Sequence, residues 1–369
     1  MPRMSKKKQP GKYVLYLAVL PKYRTECVRI LTDVMGDNLR IFVSSAHLDE
    51  SVKTGIPKDL YTQVSIRRLL RGRAFIQLGS WGPAVNAKTT VLDLNPRSIS
   101  AWLLLAIRAA LGRRTLVWGH IHPQAGAGSR TAVLRRIMRR IAKGTISYTY
   151  RDAEKAISDI PGSAVWIAPN SLYRKESVRP ALDANDAQRS SVLYVGRFAP
   201  AKKVSLLVEA FGEAVRTQPD MRLILVGGGS EEAALRHLTS RLGIAEQVEF
   251  PGWIDDLEAL SPFYARAFCS VSPGFAGLGL TQSLGFGVPM LVADDEPHSP
   301  EIELDASGGV TYFRSNSNIE LSKTILTKWE NRDNLPNLAI SRYTKLRYSA
   351  EAMASGLEDA LKNSRTNLL

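Results

Sequence analysis

Cysteine is scarce: Cys27 and Cys269 are the two in 369 residues, each inside apolar sequence and neither spaced for a metal site or a redox motif. That excludes a disulfide framework and leaves two free, buried thiols in a reducing compartment as the expectation. Long hydrophobic runs are missing as well. The most apolar segment, 101–107, is interrupted by Arg108 and is too short to span a bilayer. The apolar run 13–20 follows a basic start, but Pro21-Lys22 cuts it short and no small-residue cleavage site follows, so it reads as a first strand. No internal repeat is present, no low-complexity tract beyond the basic start, and no RNA-recognition or helix-turn-helix signature, which sets nucleic acid aside as a partner. A cytoplasmic protein without a transmembrane helix is expected.

What the chain does have is an uneven charge. Its hydrophobic content of 44% and charged content of 23% are those of an ordinary soluble protein, but its net charge is +14. Residues 1–172 hold 28 Lys and Arg against 10 Asp and Glu, whereas 173–369 hold 21 against 25. The first half carries the whole excess and is expected to meet something polyanionic: a lipid surface, nucleic acid or an anionic substrate.

A length of 369 residues exceeds what one core usually serves, so two domains are expected. In the first half, strand-like runs at 13–20, 39–44, 74–77, 90–92, 115–118, 145–148 and 164–168 alternate with helical candidates such as 26–34 and 100–111, which implies a parallel sheet with crossover helices. Between 168 and 190 the sequence turns polar and loses its period. A second alternating series then starts at 191–195. The expected division is 1–180, 181–342, and a C-terminal helix region 343–369 that crosses back to the first domain. The segment 130–143 segregates Val133, Leu134, Ile137, Met138 and Ile141 from Arg135, Arg136, Arg139, Arg140 and Lys143 at helical spacing. Two readings fit: a core-packed helix with a solvated basic face, or a face that meets an anionic membrane.

The candidate chemistry centres on 274–289. Gly274, Gly277 and Gly279 alternate with apolar residues after a strand-like run, and a helix begins near Thr281. The first amides of a helix lack internal partners and suit phosphate, although such a turn also serves packing alone. Arg197 at a strand end and Lys202 before the next helix add a planar fork and a point charge, a pair that suits a diphosphate. Gly119-His120-Ile121-His122 follows the strand 115–118, where ligands of open α/β sheets collect; a histidine there is also often only a satisfied polar residue. His298 and Glu301 are further candidates, as are the acidic pairs Asp255-Asp256 and Asp294-Asp295.

The sequences Val195-Gly196-Arg197 with Lys202, Leu225-Val226-Gly227-Gly228-Gly229, Val248-Glu249-Phe250-Pro251-Gly252-Trp253, Ser272-Pro273 and Gly285-Phe286-Gly287-Val288-Pro289 resemble, in that order, the donor domain of family 4 retaining glycosyltransferases. Pro169-Asn170 and Trp118-Gly119-His120 are similar to that family's domain-crossing turn and acceptor-side histidine. The resemblance implies a GT-B fold, two Rossmann-like α/β/α domains facing a cleft. It also implies transfer from a nucleoside-diphosphate sugar to a lipid-linked or glycan acceptor. It assigns catalysis to His120, Arg197 and Lys202 and donor binding to Gly196, Gly228, Trp253, Gly279, Leu280, Thr281 and Gln282. It assigns no metal, which sets the acidic pairs aside. Arg135, Arg136, Arg139 and Arg140 are then an acceptor or membrane face of a protein peripheral to the inner membrane surface. One departure stands out. The family has glutamates where this chain has Gly274 and Gln282; a Gln amide oxygen still accepts from ribose hydroxyls, and Gly274 replaces nothing. A changed donor preference follows, or else a protein that binds nucleotide sugar without turnover; a basic membrane adaptor is the other alternative.

Overall fold

A computed structural model of the chain describes residues 12–46, 48, 53–121, 130–182 and 189–364. It divides into two compact units, Met1–Tyr173 with Ala350–Leu369, and Arg174–Ser349. The first unit contains the strands β1 (Tyr13–Leu17), β2 (Leu39–Val43), β3 (Thr62–Gln63), β4 (Ser65–Leu69), β5 (Ala74–Leu78), β6 (Thr89–Asp93), β7 (Arg114–Trp118), β8 (Thr145–Ser147) and β9 (Val165–Ile167). Seven of them form one parallel sheet in the order β3-β2-β1-β6-β7-β8-β9. Both faces of this sheet are covered, so its strands read as continuous apolar runs.

Along β1 the side chains alternate between two cores. Tyr13, Leu15 and Leu17 join the layer that contains helix Thr25–Met35 and the last helix, Ala350–Lys362; Val14 and Tyr16 join the layer of helices Ile99–Ala110, Arg130–Ile141 and Tyr150–Asp159. The last helix lies so close on β9 that a Cβ at Gly356 would stand 1.8 Å from the Ile167 carbonyl oxygen.

The run 74–77 is a strand but not one of the parallel set. As β5 it pairs antiparallel with β4 in a separate hairpin. The reason is the connection: Leu70, Arg71 and Gly72 all have positive φ, forming a tight reversal, whereas a parallel pairing needs a long crossover. Arg108, which breaks the apolar run of its helix, is fully buried. It donates to Thr115 Oγ1 at 2.8 Å and to the carbonyls of Ala84, Val85, Ala87 and Arg114 at 2.6–3.1 Å. One guanidinium thereby satisfies the ends of several elements, and burial pushes its pKa down to about 10.

In the second unit, β10 (Ser191–Arg197), β11 (Arg222–Gly228), β12 (Val248–Gly252), β13 (Ala267–Ser272), β14 (Met290–Ala293) and β15 (Val310–Phe313) form a parallel sheet in the order β12-β11-β10-β13-β14-β15. Helices Val204–Thr217 and Asn318–Glu330 pack on one face and Leu257–Arg266 on the other. Strand order reverses between β10 and β13. At such a switch point the crossovers leave toward opposite faces, opening a crevice at the carboxyl ends of the strands. The first sheet has its own switch point between β1 and β6.

Candidate functional site

The carboxyl ends of β10, β11 and β13 bring together most of the residues expected to hold the donor. β10 ends at Gly196-Arg197 and β11 at Gly227-Gly228, paired side by side. A Cβ at Gly227, whose φ is +145°, would stand 1.8 Å from the Gly196 carbonyl oxygen, so glycine is what lets these ends converge. The Tyr194 hydroxyl donates to the Arg197 carbonyl at 2.9 Å and holds the turn from behind. Arg197 itself is exposed.

Lys202 closes a short 3-10 turn, Pro200–Lys202, and its ammonium donates to the Phe275 carbonyl at 2.6 Å while lying 4.6 Å from the centre of the Phe275 ring. Its pKa is lowered, first by its half-buried position and then by the charge of Arg197. Among the described residues no carboxylate pairs with either cation. Two cations held near one another without an acid form an anion site. The adjacent Lys203 differs: it pairs with Glu296 and donates to Asn316 Oδ1 at 2.7 Å, which ties it to the rim of the β14–β15 side.

The loop after β13 is anchored from two sides. Gly274 rests on the Pro200–Lys202 turn, where a Cβ would come within 2.3 Å of the Ala201 carbonyl oxygen. On the other side Ala276 N–H donates to His298 Nδ1 at 3.1 Å, and His298 Nε2 lies 2.7 Å from the Ala293 carbonyl. That pattern makes His298 the Nε2–H tautomer and an anchor of the loop. Glu301 is buried and accepts from Ser299 in the same brace.

Helix Gly279–Gly285 follows, and its role differs from the expectation. The amides of Leu280 and Gln282 already donate to the carbonyls of Gly277 and Leu278, at 2.9 and 3.2 Å, because the chain enters the helix through a preceding turn. They are therefore not free phosphate donors. Leu280 and Thr281 are fully buried, and Thr281 Oγ1 has no partner among the described residues. Gln282 is buried, and its Oε1 accepts from the Tyr264 hydroxyl at 3.1 Å. Gly279 has open space around it, and Trp253, beyond the edge strand β12, is 57% exposed with its Nε1–H on Asp255 at 2.8 Å. Asp256 caps helix Leu257–Arg266, and Asp294 accepts from Ser315 N–H, so both acidic pairs contain a residue with a structural task.

In the first unit the switch point holds a group that the sequence reading passed over. Ala18 N–H, after β1, donates to the Asp93 carboxylate at the end of β6. Burial pushes the Asp93 pKa up to about 7, against the Ala18 bond and the nearby Arg24 charge. Arg24 is buried against Trp118, Tyr148 and Tyr23, its guanidinium 4.7, 4.9 and 5.6 Å from their ring centres. The readable signal was a lone acid ending the apolar run Val91-Leu92-Asp93. His120, after β7, lies against the Tyr148 ring at 4.9 Å. Its outer surface meets water, yet the protein around it displaces enough solvent to lower its pKa to about 4, helped by Arg135 and Arg24. It is neutral at physiological pH. His122 lies outside the described residues.

The helix Arg130–Ile141 is turned the other way from the expectation. Arg139 is buried, pairing with Asp159 at 3.1 Å and donating to the Ala156 carbonyl at 2.7 Å; Arg135 donates to the carbonyls of Leu94 and His120 at 2.6 and 2.8 Å. Met138 packs inward beside them, while Val133, Leu134, Ile137 and Ile141 are exposed. Arg139 thus belongs to the interior, Arg135 is half-buried, and Arg136, Arg140 and Lys143 remain on the surface.

Two doubly wound parallel sheets, each with its switch point at the carboxyl ends of its strands, define the GT-B class of glycosyltransferase folds. The Anabaena protein Alr3699/HepE in complex with UDP has the same fold, with a TM-score of 0.66 and 15% identity over 95% of this chain and 100% of that one. The lipopolysaccharide outer core galactosyltransferase WaaB is similar, with a TM-score of 0.64 and 14% identity over 95% and 99% of the two chains. The GDP-mannose-dependent alpha-(1-6)-phosphatidylinositol monomannoside mannosyltransferase of Mycobacterium tuberculosis is 26% identical over 261 residues, 63% of this chain and 68% of that protein. Residues 182–347 match the model of the family Glycosyl transferases group 1. That match covers most of the second unit, and the chain is a nucleotide-sugar-dependent glycosyltransferase.

Proposed function

We propose that the chain moves a hexose from a nucleoside-diphosphate sugar to a hydroxyl of a lipid-linked or glycan acceptor, with retention at the anomeric carbon, at an anionic membrane surface facing the cytoplasm. The observation that carries the donor reading is the Arg197–Lys202 pair, two unneutralised cations beside the loop that begins at Gly274. As the glycosidic bond breaks, negative charge grows on the leaving diphosphate, and cations already in place stabilise it without reorganisation. Lys202 is pre-positioned by its bond to the Phe275 carbonyl, and Arg197 offers two parallel donors to phosphate oxygens. Gln282 stands where the family uses a carboxylate, so no charged acceptor serves the nucleoside at that position. His120, neutral at physiological pH, hydrogen-bonds a sugar hydroxyl.

A lipid-linked acceptor is supported by the basic first half and by the relative from Mycobacterium tuberculosis, whose name specifies a phosphatidylinositol monomannoside. Among the described residues no helix is long and apolar enough to cross a membrane, which is consistent with peripheral attachment. The test is a thermal-shift and turnover screen of UDP- and GDP-sugars. A donor raises the melting temperature because it binds the native state, and releases its nucleoside diphosphate on addition of the acceptor. If no nucleotide sugar stabilises the protein, the donor reading fails.

A further inference from the structure

Residues 94–151 contain eleven Lys and Arg and no Asp or Glu. They include the helices Ile99–Ala110 and Arg130–Ile141, which lie side by side in one layer of the first unit and share a core through Leu104, Leu105 and Met138. Their outer faces therefore look the same way. On the first helix and its C-cap Leu103, Ile107 and Leu111 are exposed, and on the second Val133, Leu134, Ile137 and Ile141, at 37% to 60%. An amphipathic helix normally turns its apolar side inward. Here Arg135 and Arg139 are held inside by carbonyls and Asp159, which leaves the apolar side in water. Arg136, Arg140 and Lys143 are exposed beside it.

We propose that these two helices form a docking face that sets its apolar strips into the acyl boundary of an anionic bilayer while Arg136, Arg140 and Lys143 meet the headgroups. The proposal rests on the reading of a membrane-presented acceptor and names the surface that does the docking. Charge selects the occupant. A second copy of the chain would pair this patch with itself and bring cations against cations. An anionic lipid surface supplies both apolar depth and negative charge, and each Lys or Arg near it adds to the attraction.

The test is sedimentation of the full chain with phosphatidylglycerol–phosphatidylcholine vesicles and with phosphatidylcholine alone. The parent binds the mixed vesicles and not the neutral ones. The variant Ile107→Gln/Val133→Gln/Ile137→Gln keeps the net charge and loses about tenfold or more in binding; Arg136→Gln/Arg140→Gln loses about as much and shows a shallower salt dependence. Unchanged melting temperature and unchanged stabilisation by the nucleotide sugar show that both variants are folded. If the triple variant sediments as the parent does, this inference is overturned and a membrane-presented acceptor still stands. A parent that binds anionic vesicles through this face but glycosylates only a soluble glycan overturns the lipid-linked reading and keeps the face. A parent that ignores vesicles overturns both, and one that self-associates through the patch assigns the face to a second copy.

Discussion

The Lys202 ammonium is fixed by Phe275 twice, through a 2.6 Å bond to its carbonyl and a 4.6 Å approach to its ring. Residues 73 apart in the chain are thereby locked into one unit, and a flexible lysine becomes a directed charge. With Arg197 it forms the pair of cations on which the proposed donor site rests.

Replacing either cation should therefore affect the transition state more than the ground state. Arg197→Ala and Lys202→Met should each lower kcat/KM by roughly 100-fold, or about 2.7 kcal/mol. Methionine keeps the stem over Phe275 and removes the ammonium, its charge and its bond to the Phe275 carbonyl together. Steady-state kinetics with saturating acceptor decide it; full activity in both variants would remove the donor-site assignment.

Gly274 occupies the position where the resembling family has a glutamate, and the geometry shows that a side chain does not fit this backbone. A Cβ would meet the Ala201 carbonyl oxygen at 2.3 Å and push the turn that carries Lys202. Gly274→Ala should cost about 1–3 kcal/mol of stability and Gly274→Glu should lower turnover instead of restoring it. Denaturant melts and kinetics on both variants test this; a more active Gly274→Glu enzyme would overturn it.

Arg108 donates to four carbonyls at the ends of neighbouring elements, sharing that of Ala84 with Thr90 and that of Val85 with Arg113. Arg108→Leu should lower the unfolding free energy by about 3 kcal/mol or more, since Thr115 Oγ1 and the carbonyls of Ala87 and Arg114 lose this donor at once. Urea unfolding measures it, and a loss under about 1 kcal/mol would mean that water replaces the guanidinium.

Asp93 and His120 should impose opposite pH dependences. Burial holds the Asp93 pKa at about 7 in the folded chain against an ordinary 3.8, so the folded state binds the extra proton and stability falls as pH rises through that window. His120 has a folded pKa of about 4 against 6.5, so the unfolded chain binds the extra proton and stability falls as pH drops through that window. In the parent the two slopes largely cancel. Asp93→Asn keeps an acceptor for Ala18 N–H and removes the first slope, so the variant should gain on the order of 2–4 kcal/mol over the parent between about pH 4 and pH 8. A variant whose stability tracks the parent across this range would show that Asp93 titrates normally.

Much of the architecture was legible locally. Apolar runs such as 13–17 and 191–195 must be buried on both faces, and their alternation with helical segments leaves little but parallel sheets with crossovers. Arg197 and Lys202 could be singled out only together with the glycine-rich turn at 274–289, because such a pair of cations alone is common on surfaces. Three things were decided only by tertiary contacts. The strand 74–78 left the parallel set because a three-residue reversal at Leu70, Arg71 and Gly72 joins it to its neighbour. The amides of Leu280 and Gln282, at the start of helix Gly279–Gly285, were spent on the carbonyls of Gly277 and Leu278. The helix Arg130–Ile141 turned its arginines inward, since the carbonyls of Leu94, His120 and Ala156 and the carboxylate of Asp159 were waiting for them. Periodicity reports which residues share a side of a helix; which side faces the interior depends on what the rest of the fold has left unpaired there, and that is a property of the assembled chain.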